Sequence, residues 1–302
     1  MGATVGSGTA YLFGGLIVAA VSAADTYTLP LIGEMRSWQT VFFIVGIPGA
    51  LLSFIIFTLP EPVRRNRAEI DTGAGLLAPL LRSYGQLLRF MRTNKRFFAC
   101  HYAGFLLAGA VIGGGGAWYP AHMGRTFGWD AGQIGLSLGI SIVIAGITGK
   151  LLTGFAVDKL FSRGWHDAQL RWYAGSLLIA TPIGIFATTS GDPWVFLGGI
   201  CAFLILLSPL PACYATALNL VTPNELRGAG IAFFSATAGL IGLGGGPILI
   251  AYLAEALFDG PSDIGLGLAA MVAVCCPLAA AILWAGCAGM RSALAGTGAE
   301  QT

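Results

Sequence analysis

Charge is what this sequence has least of. Only 10% of its 302 residues are Asp, Glu, Lys or Arg, against 56% that are hydrophobic, and the mean hydropathy is +0.78. A soluble domain carries roughly 25% charged residues. A chain this poor in charge cannot cover a surface that faces water, so lipid must be its main solvent. The net charge of +2 gives no reason to expect nucleic acid as a partner.

Catalytic constellations are also missing. The three histidines, at 101, 122 and 166, are far apart and have no metal-ligand spacing. Six cysteines, at 100, 201, 213, 275, 276 and 287, all fall inside apolar runs and read as small buried hydrophobes. No serine stands in a recognisable Ser/His/Asp context. The glycine-rich GSGTAYLFGG (6–15) lies within an apolar run and follows no strand, which argues against a phosphate-cradling loop. The expectation is no catalytic residue, no metal and no cofactor. No basic segment precedes the first apolar run, so no cleavable signal is expected.

Long apolar runs are what the sequence has. A bilayer-crossing helix needs about 20 mostly apolar residues, and eight windows qualify: 3–24, 38–59, 97–119, 131–157, 172–190, 193–221, 228–254 and 264–290. Among acidic and basic side chains, only His101 and Lys150 lie inside them. The fold class expected is an all-α integral membrane protein of about eight transmembrane helices. Lys and Arg concentrate in the loops at cytoplasmic ends. With the first helix running outward, Arg64, Arg65, Arg67, Arg82, Arg89, Arg92, Lys95, Arg96, Lys150, Lys159, Arg163, Arg171, Arg227 and Arg291 fall inside, and only Arg36 and Arg125 outside. Both termini are then cytoplasmic, and an inner (plasma) membrane is the expected location. In the longest loop, PLLRSYGQLLRFMR puts Leu80, Leu81, Tyr84, Leu87, Leu88 and Met91 on one helical face and Arg82, Gln86 and Arg89 on the other. That pattern suits either a helix lying in the inner interface or the approach to the next span.

Glycine is abundant, with 45 residues and dense clusters at 6–15, 113–116 and 242–247. In lipid, small residues let helix backbones approach closely. Prolines 48, 182, 209, 211, 247 and 277 sit inside the windows, and each removes a backbone donor and favours a kink.

Four segments, in order, resemble the major facilitator superfamily of transporters. GFAVDKLFSR (154–163) is similar to its Gly-x-x-x-Asp-(Arg/Lys) loop motif. AWYPAHMGRTFGWDAGQIGLSLG (117–139) resembles the helix 7–8 connection of its spinster-like and organic-anion branches. WQTVFFIVGIPGALLSFIIFTLPEP (38–62) resembles helix 6, and TPNELRGAGIAFFS with GLIGLGGGPILIAYLAEALF resembles the helix 10–11 loop and helix 11. The resemblance implies a truncated major facilitator fold without the first four helices. Residues 1–62 would be a two-helix remnant of the N-terminal bundle, 63–96 a cytoplasmic linker, 97–290 the six-helix C-terminal bundle and 291–302 a cytoplasmic tail.

The implied function is secondary transport of a small organic anion or amphipathic solute by alternating access. The alternative is a non-transporting fragment or a subunit that needs its missing N-terminal half as a partner. Beyond the lipid bilayer and a small-molecule substrate, a coupling proton or ion is implied. The resemblance makes Gly154, Asp158, Lys159, Arg163 and Arg227 gating residues, with Asp158 meeting Met1 to Thr4 or Arg227; Lys159 and Arg163 can equally serve topology alone. Glu255 is either an outer-gate acid or an exposed interfacial residue. His101 lies on a helix that lines the family's cavity, and can titrate near neutral pH or bond a neighbouring helix. Trp118, Tyr119 and Tyr214 are path-lining candidates or interfacial anchors, and Lys150 can snorkel to the surface.

Overall fold

The computed structural model describes residues 2–29, 33–58, 60, 77–258, 260 and 263–299. The helices are α1 (Gly2–Val21), α2 (Ser37–Ser53, extended by a 3-10 segment, Phe54–Thr58), α3 (Leu77–Thr93), α4 (Lys95–Phe127), α5 (Ala131–Ser162) and α6 (Ala168–Thr189). They continue with α7 (Pro193–Leu207), α8 (Leu210–Val221), α9 (Asn224–Ala238), α10 (Gly246–Leu257) and α11 (Ile264–Ala299). Eight helical spans are long and apolar enough to cross a membrane, matching the eight windows in number and order. Pro209 and Pro211 divide one span into α7 and α8, because neither can donate to the preceding turn.

Boundaries shift where caps override the hydropathy window. α4 runs on to Phe127, well past the expected end at 119, and thereby encloses Pro120. It stops at Gly128, whose φ of +68° suits glycine. Asp130 then caps α5 by accepting from the Gln133 N–H at 2.9 Å, and the Gln133 side chain accepts from the Asp130 N–H.

Between α1 and α2 the chain adds a short antiparallel hairpin, β1 (Thr26–Leu29) with β2 (Gly33–Arg36). A second irregularity is the π-helical segment Gly239–Gly245 joining α9 to α10. Four of its seven residues are glycine, the poorest helix former after proline.

The core lies within α4–α11. Phe97, Phe105, Tyr173, Phe196 and Phe203 are completely buried there. α1 packs along α5, while α2 touches α1 and the hairpin and is exposed along its length. In α3, Leu87 is buried against the core but Leu81 and Leu88 are 72% and 48% exposed, so the apolar face is divided between protein and surroundings. Residues 63–76 of the expected linker lie outside the described residues.

Candidate functional site

The seam between α1 and α5 is built from small residues. A methyl group at Gly15 would sit 2.6 Å from the Ala131 carbonyl oxygen and 2.7 Å from the Gly135 Cα. One at Gly8 would sit 2.9 Å from the Gly139 carbonyl. Backbones approach this closely only where no Cβ intervenes. Near the start of α1, Lys150 Nζ donates to Thr4 Oγ1 across the same seam. Near its middle, the Tyr11 hydroxyl donates to the Gly116 carbonyl of α4 at 2.8 Å. The π-helical segment leads into a second glycine crossing: a methyl group at Gly246 would lie 2.4 Å from the Ala110 carbonyl of α4.

The expected gating residues are dispersed. Gly154 is exposed, and a methyl group there would meet nothing within 4 Å. Asp158, Lys159 and Arg163 are exposed at the end of α5, and among the described residues Asp158 forms no ion pair. Arg227 instead binds its own turn, donating to the Thr222 carbonyl at 3.1 Å and to Asn224 Oδ1 at 3.2 Å. Met1 lies outside the described residues, and Thr4 is engaged by Lys150, about 12 Å of helix rise before Asp158. Glu255 is exposed on α10. Lys150 thus turns inward to a neighbouring helix rather than only snorkelling outward.

Of the four expected path residues, His101 and Tyr119 are buried in the core, and Trp118 and Tyr214 are half-buried against it. His101 is completely buried, its Nε2 is 3.0 Å from the Tyr214 carbonyl, and Phe97, Tyr102, Phe105 and Phe234 surround its ring. His101 therefore bonds a neighbouring helix in this arrangement. Tyr119 is buried against Phe196. Tyr214 stacks on Phe234 at 4.1 Å, and Trp118 donates to the Pro247 carbonyl at 2.9 Å. In this arrangement all four hold α4 to its neighbours, because large aromatics fill the core that the glycines leave thin.

Asp167 escaped sequence reasoning. It is 2% exposed in the turn before α6, and both its oxygens are used. Oδ1 accepts from Arg171 Nε at 2.8 Å, and Oδ2 accepts from Arg291 of α11. The Arg171 guanidinium lies 5.1 Å from the Trp165 ring centre and 5.3 Å from that of Trp284. The i,i+4 spacing to Arg171 is the available signal; Arg291 is 124 residues away and gives none. Among the described residues, no cluster of His, Cys, Asp and Glu can hold a metal ion.

Known proteins place this architecture. The Major Facilitator Superfamily family pattern matches residues 1–247. The chain belongs to the Major Facilitator Superfamily. It is similar to an MFS-type efflux pump of Mycolicibacterium smegmatis, 25% identical over 281 residues that cover 89% of this chain and 61% of that protein. It is also similar to a D-galactonate transporter of Escherichia coli O6:H1, 25% identical over 256 residues covering 80% of this chain and 59% of the other. The chain therefore spans about three fifths of the length of these curated relatives (61% and 59%).

Among solved structures, the fold matches a bacterial homologue of the human lysosomal transporter Spinster in its inward-facing, unoccupied conformation. The TM-score is 0.64 at 20% identity, over 97% of this chain and 69% of that one. The occupied inward-facing form gives 0.61 at 18% identity, over 97% and 68%. The superfamily fold makes the chain a multi-pass membrane protein, and members of this superfamily are transporters rather than enzymes.

Proposed function

We propose that this chain is a secondary transporter that moves a small organic anion or amphipathic solute across the inner (plasma) membrane by alternating access. Family membership over residues 1–247 carries the reading, and the two curated relatives are named as an efflux pump and a galactonate transporter. The α1–α5 seam supports it physically. Small residues at Gly8, Gly15, Gly135 and Gly139 bring the two backbones into close contact along the seam. Such a seam suits rocking of one bundle on another about a central site. The N-terminal bundle would be represented by α1 and α2, and the C-terminal bundle by α4–α11. Both termini would be cytoplasmic, on the strength of the Lys and Arg distribution. Asp158, Lys159, Arg163 and Arg227 would then share the cytoplasmic end and form the gate when the bundles close there, with Gly154 leaving room for the approaching helix. A proton or ion would drive the cycle.

The exposure of α2 supports a second reading, that a further N-terminal half is needed for transport. Phe42, Leu51 and Phe57 are 70%, 64% and 83% exposed, a surface that either lipid or further helices can cover. Solute uptake into proteoliposomes separates the two. Radiolabelled organic anions and amphipathic solutes would be offered to the chain alone and to the chain co-expressed with four additional family helices. Uptake by the chain alone establishes the first reading and uptake only by the pair establishes the second. No uptake above empty liposomes in either case sinks transport altogether.

A further inference from the structure

Pro120 deletes a backbone donor inside α4. In a regular helix the N–H of residue 120 would bond the carbonyl of Gly116, four residues earlier. Proline leaves that oxygen without its helical partner, and an unpaired carbonyl is costly in lipid. Tyr11 supplies the missing donor from another helix, at 2.8 Å. A related bond lies within the core. Leu207 ends α7, and the Tyr173 hydroxyl donates to its carbonyl at 2.9 Å.

The two bonds differ in what they join. Tyr173 links α6 to α7, which pack together over a broad face, and the bond is buried. Tyr11 links α1 to α4, and these helices share little other contact among the described residues, since α1 packs along α5. A shallow apolar cavity of about 300 Å³, lined by Gly14, Val18, Pro120 and Ile134 among others, lies beside the Tyr11 side chain. The bond is therefore a cross-tie at the edge of the seam, with space next to it.

We infer that Tyr11 is a latch residue of the transport cycle. Its bond to the Gly116 carbonyl holds α1 against α4 in the arrangement described here, and it breaks when α1 swings on α5. Pro120 maintains the latch by keeping the Gly116 oxygen free of its own helix. A hydrogen bond of this kind biases an equilibrium about two- to tenfold and does not lock it. Tyr11 is a positioning residue rather than a solute ligand, and the inference rests on the alternating-access reading above.

The test is a cycle of four full-length proteins in nanodiscs: wild type, Y11F, P120A and the double variant. Hydrogen–deuterium exchange of the peptide spanning α1 is the readout, and thermal melting is measured in parallel. With Pro120 present, Y11F is expected to speed α1 exchange about two- to tenfold. In the P120A background the restored N–H satisfies Gly116, and Y11F should change exchange by less than about twofold. An equal effect in both backgrounds, or none in either, overturns the latch. So does a cycle seen in melting but not in exchange, which would make the bond a static tie. Exchange needs no solute, so these failures leave the transport reading to its uptake assay. A positive cycle in a protein that carries no solute, alone or with the additional helices, sinks that reading instead.

Discussion

Two regions of this membrane protein bury side-chain bulk to different degrees. In α4–α11, Phe97, Phe105, Tyr173 and Phe203 are completely buried, and Asp167 ties the start of α6 to α11 through Arg291. In α1 and α2, Phe13, Phe42 and Phe57 are 59%, 70% and 83% exposed, and α1 is fastened by glycine contacts and the bonds of Tyr11 and Thr4. Lipid tails are as apolar as these side chains, so exposure of phenylalanine to a membrane carries no penalty. What separates the regions is interlocking. Bulky aromatic side chains interdigitate within α4–α11, whereas α1 lies along α5 on a seam of glycine contacts.

The comparison breaks most visibly at paired phenylalanines. Phe105 meets His101, Tyr173 and Tyr214. Phe105→Ala leaves a cavity among residues that cannot collapse, and should cost about 3–5 kcal/mol. Phe57→Ala removes an exposed ring and should stay within about 0.5 kcal/mol. Melting curves of both variants in detergent check the pair. Equal losses would mean that α2 is interlocked with something, contrary to the division drawn above.

Next in size is Asp167→Asn. Removing one partner from a buried ion pair costs about 3–5 kcal/mol, but Arg291 is 48% exposed and Arg171 27%, so water recovers part of that loss. The expected cost is about 2 kcal/mol, read as lowered thermal stability. An unchanged melting temperature would show that the cluster follows the packing of α6 on α11 rather than supporting it.

A smaller effect distinguishes the two tyrosine–carbonyl bonds. Tyr173→Phe should cost about 1 kcal/mol of stability and leave exchange in α1 unaltered, because its bond lies inside one packed unit. Faster exchange in α1 would mean that the seam and the core are not mechanically separate.

Much of this division is written in the sequence, and some of it cannot be. Long apolar runs specify spans because lipid tolerates little else, so the eight windows match in number and order. Ends depend on single capping groups, so a window that stops at 119 hides Pro120, and with it the reason for the Tyr11 bond. Strands of four residues are too short to show a period-2 pattern, which is why the hairpin between α1 and α2 gives no signal. The cluster GLGGGP is plainly glycine-rich, but whether glycines pack, bend or form a π-helix depends on the helix facing them. Asp167 is hidden because its second partner lies at the far end of the chain. The resemblance places His101 on a cavity-lining helix, yet sequence position along a span does not say which way a side chain faces.

The smallest stability effect belongs to the second aspartate. Asp158 and Asp167 are nine residues apart and carry the same charge, but Asp158 is exposed and pairs with no base among the described residues. An exposed carboxylate gains little from folding, so Asp158→Asn should change stability by less than about 0.5 kcal/mol. If the gate reading is correct, the cost appears elsewhere. Closing the cytoplasmic side would bring Asp158 to Arg227 or to the start of α1, and the amide cannot make that charged contact. The transport rate should then change several-fold while the amount of inserted protein stays the same. Uptake per inserted molecule equal to wild type would retire Asp158 as a gate and leave Tyr11 and the glycine seam to account for the coupling between α1 and α4–α11.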